Sequence, residues 1–407
     1  MRRPVREHVL SSTSPAVLKY YLYKATKAVE FYRPIMYLFF LAQGLSFTQI
    51  TILEALYNLT TLFGEIPTGW VGDRVGRRNS LLVGTTLISV TLLGIGLADS
   101  FLQLAVLYVF WSAGYNFRSG SEDAWLYDTL TDDRSADDFA HVRGRGESVA
   151  LGIGVGAAVL GGYLGSIDLS YPWFVAATVT GLGAPVLLSV NESETYEETD
   201  SGDLSLRRSV DIAMDVLSRS NIRAFVVYYY VLYAAVTYLV FVFLQPIFQT
   251  VVVDLGVSES RVESLLGWFY AVYSLFGAIL SYYTGAIRDR LGVRTWFTVL
   301  PFVLGAALVG MYFVPLLALP TFLVARGVSD VTRSLAGQYI NDRIGTLGRA
   351  TVLSTMAMIG GLTVLPFQLG SGVISDYASP LFAIAVSGVV LVVGSAAILA
   401  WEQPVAD

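Results

Sequence analysis

The chain is punctuated by apolar runs that approach the ~20 residues an α-helix needs to cross a bilayer. They fall at 81–98, 101–117, 149–167, 172–190, 225–253, 264–284, 296–319 and 381–401. Nothing else in the sequence restricts the fold as strongly. Inside hydrocarbon a backbone amide finds no water and must be paired within the protein. A closed β-barrel would satisfy that rule, but these runs do not alternate apolar and polar residues with period two. Helices remain. Composition agrees: 54% of the 407 residues are hydrophobic and only 14% charged, too little polar surface to cover a soluble protein of this length.

Counting shorter and charge-interrupted runs as well, the sequence predicts twelve spans, near 20–44, 48–70, 79–98, 101–127, 143–166, 171–190, 224–249, 262–285, 295–314, 318–340, 348–374 and 380–401. Between the sixth and seventh lies NESETYEETDSGDLSLRRS, rich in acids with almost nothing to bury, the composition of a solvated linker. The expected organisation is an N-terminal six-helix bundle (1–190), an acidic cytoplasmic linker (191–220) and a C-terminal six-helix bundle (221–407). The distribution of basic residues tests the count. With the N-terminus in the cytoplasm, the inner set is Arg2, Arg3, Arg6, Lys19, Arg74, Arg77, Arg78, Arg134, Arg143, Arg145, Arg207, Arg208, Arg219, Arg223, Arg288, Arg290, Arg294, Arg343 and Arg349. The outer loops hold only Arg261. Both termini are therefore expected in the cytoplasm, in a multi-pass protein of the cell membrane. The opening MRRPVREHVLSSTSPAV has no long apolar core, so no cleavable signal is expected.

Several chemistries are excluded. There is no cysteine, and the only histidines are His8 and His141, so no metal centre or cofactor is expected. No Gly-x4-Gly-Lys-Ser/Thr loop and no Gly-x-Ser-x-Gly elbow occurs, which argues against ATP-driven pumping and against an enzyme of the nucleophile-elbow kind. The expected partners are a small-molecule substrate, protons and the lipid bilayer, with no nucleic acid, and the expected state is a monomer. Lysine occurs only as Lys19, Lys24 and Lys27, with arginine elsewhere, a pattern equally compatible with a salt-adapted host and with a GC-rich genome.

One charged stretch interrupts the apolar chain twice. GWVGDRVGRRNS (Gly69–Ser80) returns as GAIRDRLGVRTW (Gly285–Trp296). At a fixed offset Gly69 matches Gly285, Asp73 matches Asp289, Arg74 matches Arg290, Gly76 matches Gly292 and Arg78 matches Arg294. Each copy joins the second and third span of its half, so the chain is an internal duplication. Duplicated six-helix halves are a secondary-transporter plan, with the substrate site near mid-membrane between them.

With that pattern the sequence resembles the major facilitator superfamily over its whole length, in span count, linker, sidedness and repeat. Gly69, Asp73, Arg74, Gly76, Arg77 and Arg78 are similar to that family's loop motif between spans 2 and 3. FRSGSEDAWLYD (Phe117–Asp128) and GEIPTGW (Gly64–Trp70) look like a bacterial and archaeal branch grouped near drug exporters. GIGVGAAVLGG (Gly152–Gly162) matches the exporters' span-5 motif in part, having the glycines but no proline and its glycine pair one place late. The resemblance implies an all-α membrane fold of twelve helices in two pseudo-symmetric bundles. It also implies a cytoplasmic latch in which Asp73 meets the start of span 11 and charges at the foot of span 4. Asp128 could hold Arg74 or Arg77 there, and Gly69, Gly72 and Gly76 would let the backbones approach. Asp289 and Arg290 would form the second copy.

Ionisable residues inside a membrane are costly and are functional candidates by default. Span 1 holds Glu30 and Arg33, with Tyr37 one turn on. Span 4 holds Arg118 and Glu122, four apart as for a helical pair, and Asp123. Span 10 holds Arg326, Asp330 and Arg333. Span 7 has no charge between Ala224 and Val253, but Tyr230, Tyr233, Thr237, Phe241 and Gln245 share a helical face. Spans 1, 4, 7 and 10 line the cavity in the resembled family. The expected cavity is polar on its N-terminal side and aromatic on its C-terminal side, suited to an amphipathic organic solute, with Glu30, Glu122 and Asp123 as proton carriers. Glu54 is expected toward the outer vestibule. The function this implies is secondary active transport by alternating access, with proton-coupled export as a drug or metabolite antiporter preferred. A proton-coupled uptake symporter and a non-transporting receptor of the same fold are the alternatives.

Overall fold

A computed structural model describes residues 14–132, 138–190, 220–343 and 349–405, and all its regular structure is helical. Twelve spans follow in chain order. They are span 1 (Pro15–Lys27 and Met36–Ala42), span 2 (Phe47–Val75), span 3 (Arg77–Leu97), span 4 (Phe101–Ser119 and Glu122–Asp132), span 5 (Phe139–Gly165) and span 6 (Tyr171–Gly181 and Gly183–Leu188). Then come span 7 (Ser220–Asp254), span 8 (Val262–Tyr282), span 9 (Val293–Phe313), span 10 (Ala318–Arg343), span 11 (Arg349–Tyr377) and span 12 (Pro380–Trp401). Among the described residues, eight helical stretches are long and apolar enough to cross a membrane on length and composition alone. Spans 1, 4 and 10, which carry the intramembrane charges, do not reach that mark, and neither does span 2. Large apolar side chains such as Leu97, Leu102, Ile167 and Phe313 are exposed, as a lipid-facing surface requires.

The pairing of spans repeats after six. Span 2 packs on span 4 and span 8 on span 10; span 3 packs on span 6 and span 9 on span 12. Two broad contacts join the halves, span 5 with span 8 and span 11 with span 2, and a shift of six spans exchanges them. Because lipid is as apolar as the helices, close packing rather than hydrophobic burial holds such pairs together, and small residues make it possible. A Cβ at Gly84 would stand 2.7 Å from the carbonyl of Gly114 on span 4, and one at Gly305 would stand 2.9 Å from that of Gly388 on span 12. Between the halves, a Cβ at Gly267 would lie 3.0 Å from Gly162 Cα. The repeat is visible in the backbone too: Gly76 and Gly292 both end a helix with positive φ, 89° and 74°, a conformation that favours glycine.

The charged stretch is therefore mostly the last turns of span 2, and the turn proper is Gly76. Arg77 pairs with Asp128 at 3.0 Å, as expected for one of the two arginines. Arg74 instead stacks on Trp70 at 3.4 Å, and Arg78 donates to the Val190 carbonyl at 2.9 Å. Gly72 meets Ser80 closely, but Gly69 faces open space, so it brings no backbone close here. In the second copy Asp289 pairs with Arg288 at 2.9 Å, and Arg290 is exposed. The Asp73 side chain and residues 344–348 lie outside the described residues, and so does the expected Asp73 contact with span 11.

The polar contacts that do join the halves lie toward the face opposite the termini. Asp376, at the end of span 11, accepts hydrogen bonds from the backbone N–H of Phe47 (2.7 Å) and Thr48 (2.9 Å), the free donors at the start of span 2. Gly372 packs directly on Thr51 and Phe47. Trp268 Nε1 donates to Tyr163 at 3.3 Å, and Ser264 to Ser166 at 3.3 Å. A carboxylate on a helix N-terminus contributes about 1 kcal/mol. Asp376→Ala should therefore move the closed–open equilibrium of the opposite face roughly fivefold toward open. Because the chain has no cysteine, Thr51→Cys gives a single reporter at a position with no exposed surface. Its maleimide labelling should accelerate by that factor when Asp376→Ala is added; an unchanged rate would remove Asp376 from the closure.

Candidate functional site

The site begins where span 1 fails to be one helix. Pro34 has no N–H and drives Arg33 away from helical geometry, and the chain leaves the helix after Lys27 and re-enters it at Met36. Freed amide groups at this depth need partners. Gln245 of span 7, fully buried, supplies them: its Nε2 donates to the Arg33 carbonyl at 2.8 Å, and its Oε1 accepts from the Tyr37 N–H at 2.7 Å. Nε2 also lies 3.1 Å from the Tyr270 hydroxyl. From the other side span 5 approaches through Gly161, where any Cβ would clash with the Phe31 carbonyl. Within the break, Arg33 holds Glu30 through two hydrogen bonds of 2.8 and 2.9 Å, and its guanidinium lies 5.5 Å from the Phe241 ring of span 7.

Beside the break sits a carboxylate that the sequence analysis expected at the outer vestibule. Glu54 of span 2 is instead buried. Its Oε1 accepts from the hydroxyls of Tyr37 (3.1 Å) and Tyr108 (3.4 Å), and its Oε2 accepts from Tyr238 of span 7. Three spans of one half and one span of the other thus converge on one acid. Its signal in the sequence was a lone glutamate inside the apolar run ITILEALYNL, far enough from either end to count as intramembrane.

Span 4 departs from expectation for a similar reason. It is interrupted at Gly120–Ser121, so Arg118 and Glu122 are not stacked on one helix and do not pair. Glu122 is held by Lys24 at 2.8 Å and by Lys27, and Lys24 also reaches Glu147 at 2.8 Å. Arg118 turns to Tyr23, donating from Nε at 3.2 Å. Asp123 is not in a cavity: it pairs with Arg143 of span 5 at 2.7 Å, and both side chains are about half exposed.

In the second half three of the five expected stripe residues, Tyr233, Thr237 and Phe241, share a cavity wall. Val227–Tyr233 is a π-helical segment, which inserts an extra residue per turn. Tyr229 thereby joins Tyr233, Thr237 and Phe241 on the wall of a cavity of ≈ 350 Å³. Tyr230 is rotated onto Gly360 of span 11. Gln245, further along, belongs to the bridge over the break rather than to the wall. Tyr273, Arg326, Ser329 and Arg333 complete the lining, so this side is cationic as well as aromatic. Arg326 lies 3.4 Å from Asp330 and 5.5 Å from the Tyr273 ring. The structure thus gathers Tyr233, Thr237, Phe241, Arg326 and Arg333 on the wall of one cavity, with Asp330 paired to Arg326 and the Arg33–Glu30 pair next to Phe241. Tyr37 and Gln245 lie in the seal above it, and Arg118, Glu122, Asp123 and Tyr230 lie elsewhere. No group of acidic or histidine side chains among the described residues could hold a metal ion.

Comparison with known proteins agrees with this architecture. The family model of the Major Facilitator Superfamily matches residues 28–353. An uncharacterised transporter of the same type from Bacillus subtilis (strain 168), YxaM, is 22% identical over 378 residues, which is 90% of this chain and 89% of that protein. Among solved structures, the nucleoside transporter NupG superposes with a TM-score of 0.79 at 12% identity, covering 95% of this chain and 97% of that one. A D-xylose-proton symporter superposes with a TM-score of 0.65 at 12% identity, covering 96% and 97%. At such identities the likeness is one of fold.

The ion pairs predict a contrast. Removing one member of a buried pair leaves an uncompensated charge, worth about 3 kcal/mol. Glu122→Gln should destabilise the protein by about that amount, and a double-mutant cycle with Lys24→Ala should show coupling of about 1 kcal/mol or more. The cycle of Glu122→Gln with Arg118→Ala should be additive within about 0.5 kcal/mol. Unfolding titrations of the purified variants read both; coupling of the second pair and additivity of the first would reverse the assignment.

Proposed function

The chain belongs to the major facilitator superfamily and is a secondary transporter rather than an enzyme, and from that premise we propose that it exports a small amphipathic solute in exchange for protons. Residues 1–190 and 221–407 are the two bundles that rock about the cavity, 191–220 is the cytoplasmic linker, and both termini lie in the cytoplasm, so the cavity described above opens inward and the sealed face is the outer one. The observation that carries the coupling is Glu54. An ionised carboxylate only accepts hydrogen bonds, whereas a protonated one must also donate one. Three tyrosine hydroxyls already donate to Glu54, one of them from the opposite half. A proton arriving there competes with the phenols for the carboxyl oxygens, and of the three bonds the Tyr238 one crosses between the halves. Proton binding thus loosens the outer seal, so the proton state of Glu54 biases which face is open. Glu30, bonded to Arg33 at the cavity edge, is the second carboxylate within reach of this path.

The halves then alternate as protons and solute bind in turn. The aromatic part of the expected cavity chemistry is supported by Tyr229, Tyr233 and Phe241 on its wall, and Arg33 of the other bundle lies 5.5 Å from the Phe241 ring. The test uses everted membrane vesicles with an inward-acid gradient and a fluorescent reporter of luminal pH. Solutes that are substrates should dissipate the gradient with the wild-type protein. Glu54→Gln should abolish that response while leaving solute counterflow without a gradient within about threefold of wild type, since only the coupling step is lost. Tyr238→Phe should fall between the two. Full gradient dissipation by Glu54→Gln would exclude this carboxyl as the coupling group, and solute accumulation that requires the opposite gradient would make the protein an uptake symporter.

A further inference from the structure

The charges around the cavity do not balance. Arg33 is matched by Glu30 and Arg326 by Asp330. Arg333 lines the same cavity, is exposed to it, and has no acidic partner among the described residues. Span 10 is a helix of 26 residues ending at Arg343, so at 1.5 Å per residue Arg333 stands roughly 15 Å back from that end. A guanidinium within a span and without a carboxylate is costly, and what surrounds it is built for contact rather than for neutralisation: the rings of Tyr229, Tyr233 and Phe241 on one wall, the Ser329 hydroxyl beside it. The neighbouring Arg326 is itself spread between Asp330 and the Tyr273 ring, 5.5 Å away, and Arg33 stands next to the wall, 5.5 Å from the Phe241 ring.

We infer that the solute is an organic anion with an aromatic body, its acid group received by Arg333 with Arg326 beside it and its ring laid against Tyr229, Tyr233 and Phe241. This deepens the transport reading and rests on it. The single excess positive charge matches a monoanion such as a carboxylate or sulfonate. A guanidinium gives such a group two parallel donors, which an amide or alcohol of the same shape cannot use as well. A cationic solute would face two guanidiniums, Arg326 and Arg333, at once, and repulsion of that kind is how a site rejects the wrong charge. Binding of the anion also relieves the unpaired guanidinium, so solute and site each lower the other's cost of leaving water.

The test separates recognition from transport by measuring binding without any gradient. Purified full-length protein in lipid nanodiscs is titrated by calorimetry with a matched series: phenylacetate, phenylacetamide and phenethylamine. Phenylacetate should bind saturably and roughly tenfold more tightly than the amide, with the amine weakest. Arg333→Gln should remove that preference, so that acid and amide bind alike, and Arg333→Lys, which keeps the charge, should preserve it. The lysine variant controls for folding, since both variants disturb packing equally. The inference is overturned if the amide or the amine binds as tightly as the acid, if the acid does not bind, or if Arg333→Gln keeps the preference. Acid binding without any gradient-driven flux would instead leave the inference intact and remove the transport reading.

Discussion

A backbone that leaves helical geometry inside a bilayer must find every hydrogen bond elsewhere, and in this protein one side chain answers that need. Gln245 reaches from span 7 to pair both a carbonyl and an amide freed by the break in span 1. The rest of the site depends on it. The break sets the Arg33–Glu30 pair beside Phe241, brings the Tyr37 hydroxyl to Glu54, and places the Phe31 carbonyl where only a glycine on span 5 can face it. Because the pairing group comes from the other half of the molecule, the same bonds that repair the helix also close the sealed face. Stability of span 1 and conformation of the transporter are thus one equilibrium.

Spans 2 and 11 run antiparallel, and at the sealed face an aspartate at the end of span 11, Asp376, caps the start of span 2. It uses the partial positive charge and free N–H groups of a helix N-terminus, a contact weak enough to break in a transport cycle. The glycine pairs between spans, such as Gly162 with Gly267, let the two bundles approach closely.

The fold was legible because its signals are local and repeated. Apolar run length, arginine sidedness and the matched glycines at 76 and 292 each required only counting along the chain. The site was legible where helical spacing held: Tyr233, Thr237 and Phe241 do share a face, and Arg326 with Asp330 do pair at i,i+4. It was illegible where the helix changed. The interruption at Gly120–Ser121 parted Arg118 from Glu122, and the π-helical segment of span 7 exchanged Tyr229 for Tyr230. Neither departure has a strong sequence signature. Lys24 and Lys27 hold Glu122 across a distance in sequence that spacing arguments do not reach. Glu54 was expected at the outer vestibule and Asp376 was not singled out for the same reason, since their partners lie on other spans.

The central claim is that the proton state of Glu54 sets the opening of the sealed face. With no native cysteine to remove, spin labels at Ile167 and Leu255, both exposed and carried by opposite halves beyond spans 5 and 7, report that opening as a distance distribution. The account predicts a short distance at neutral pH, a growing longer population on acidification, and a distribution for Glu54→Gln that is long and indifferent to pH. A single distance that stays the same from neutral to acid in the wild-type protein would contradict it.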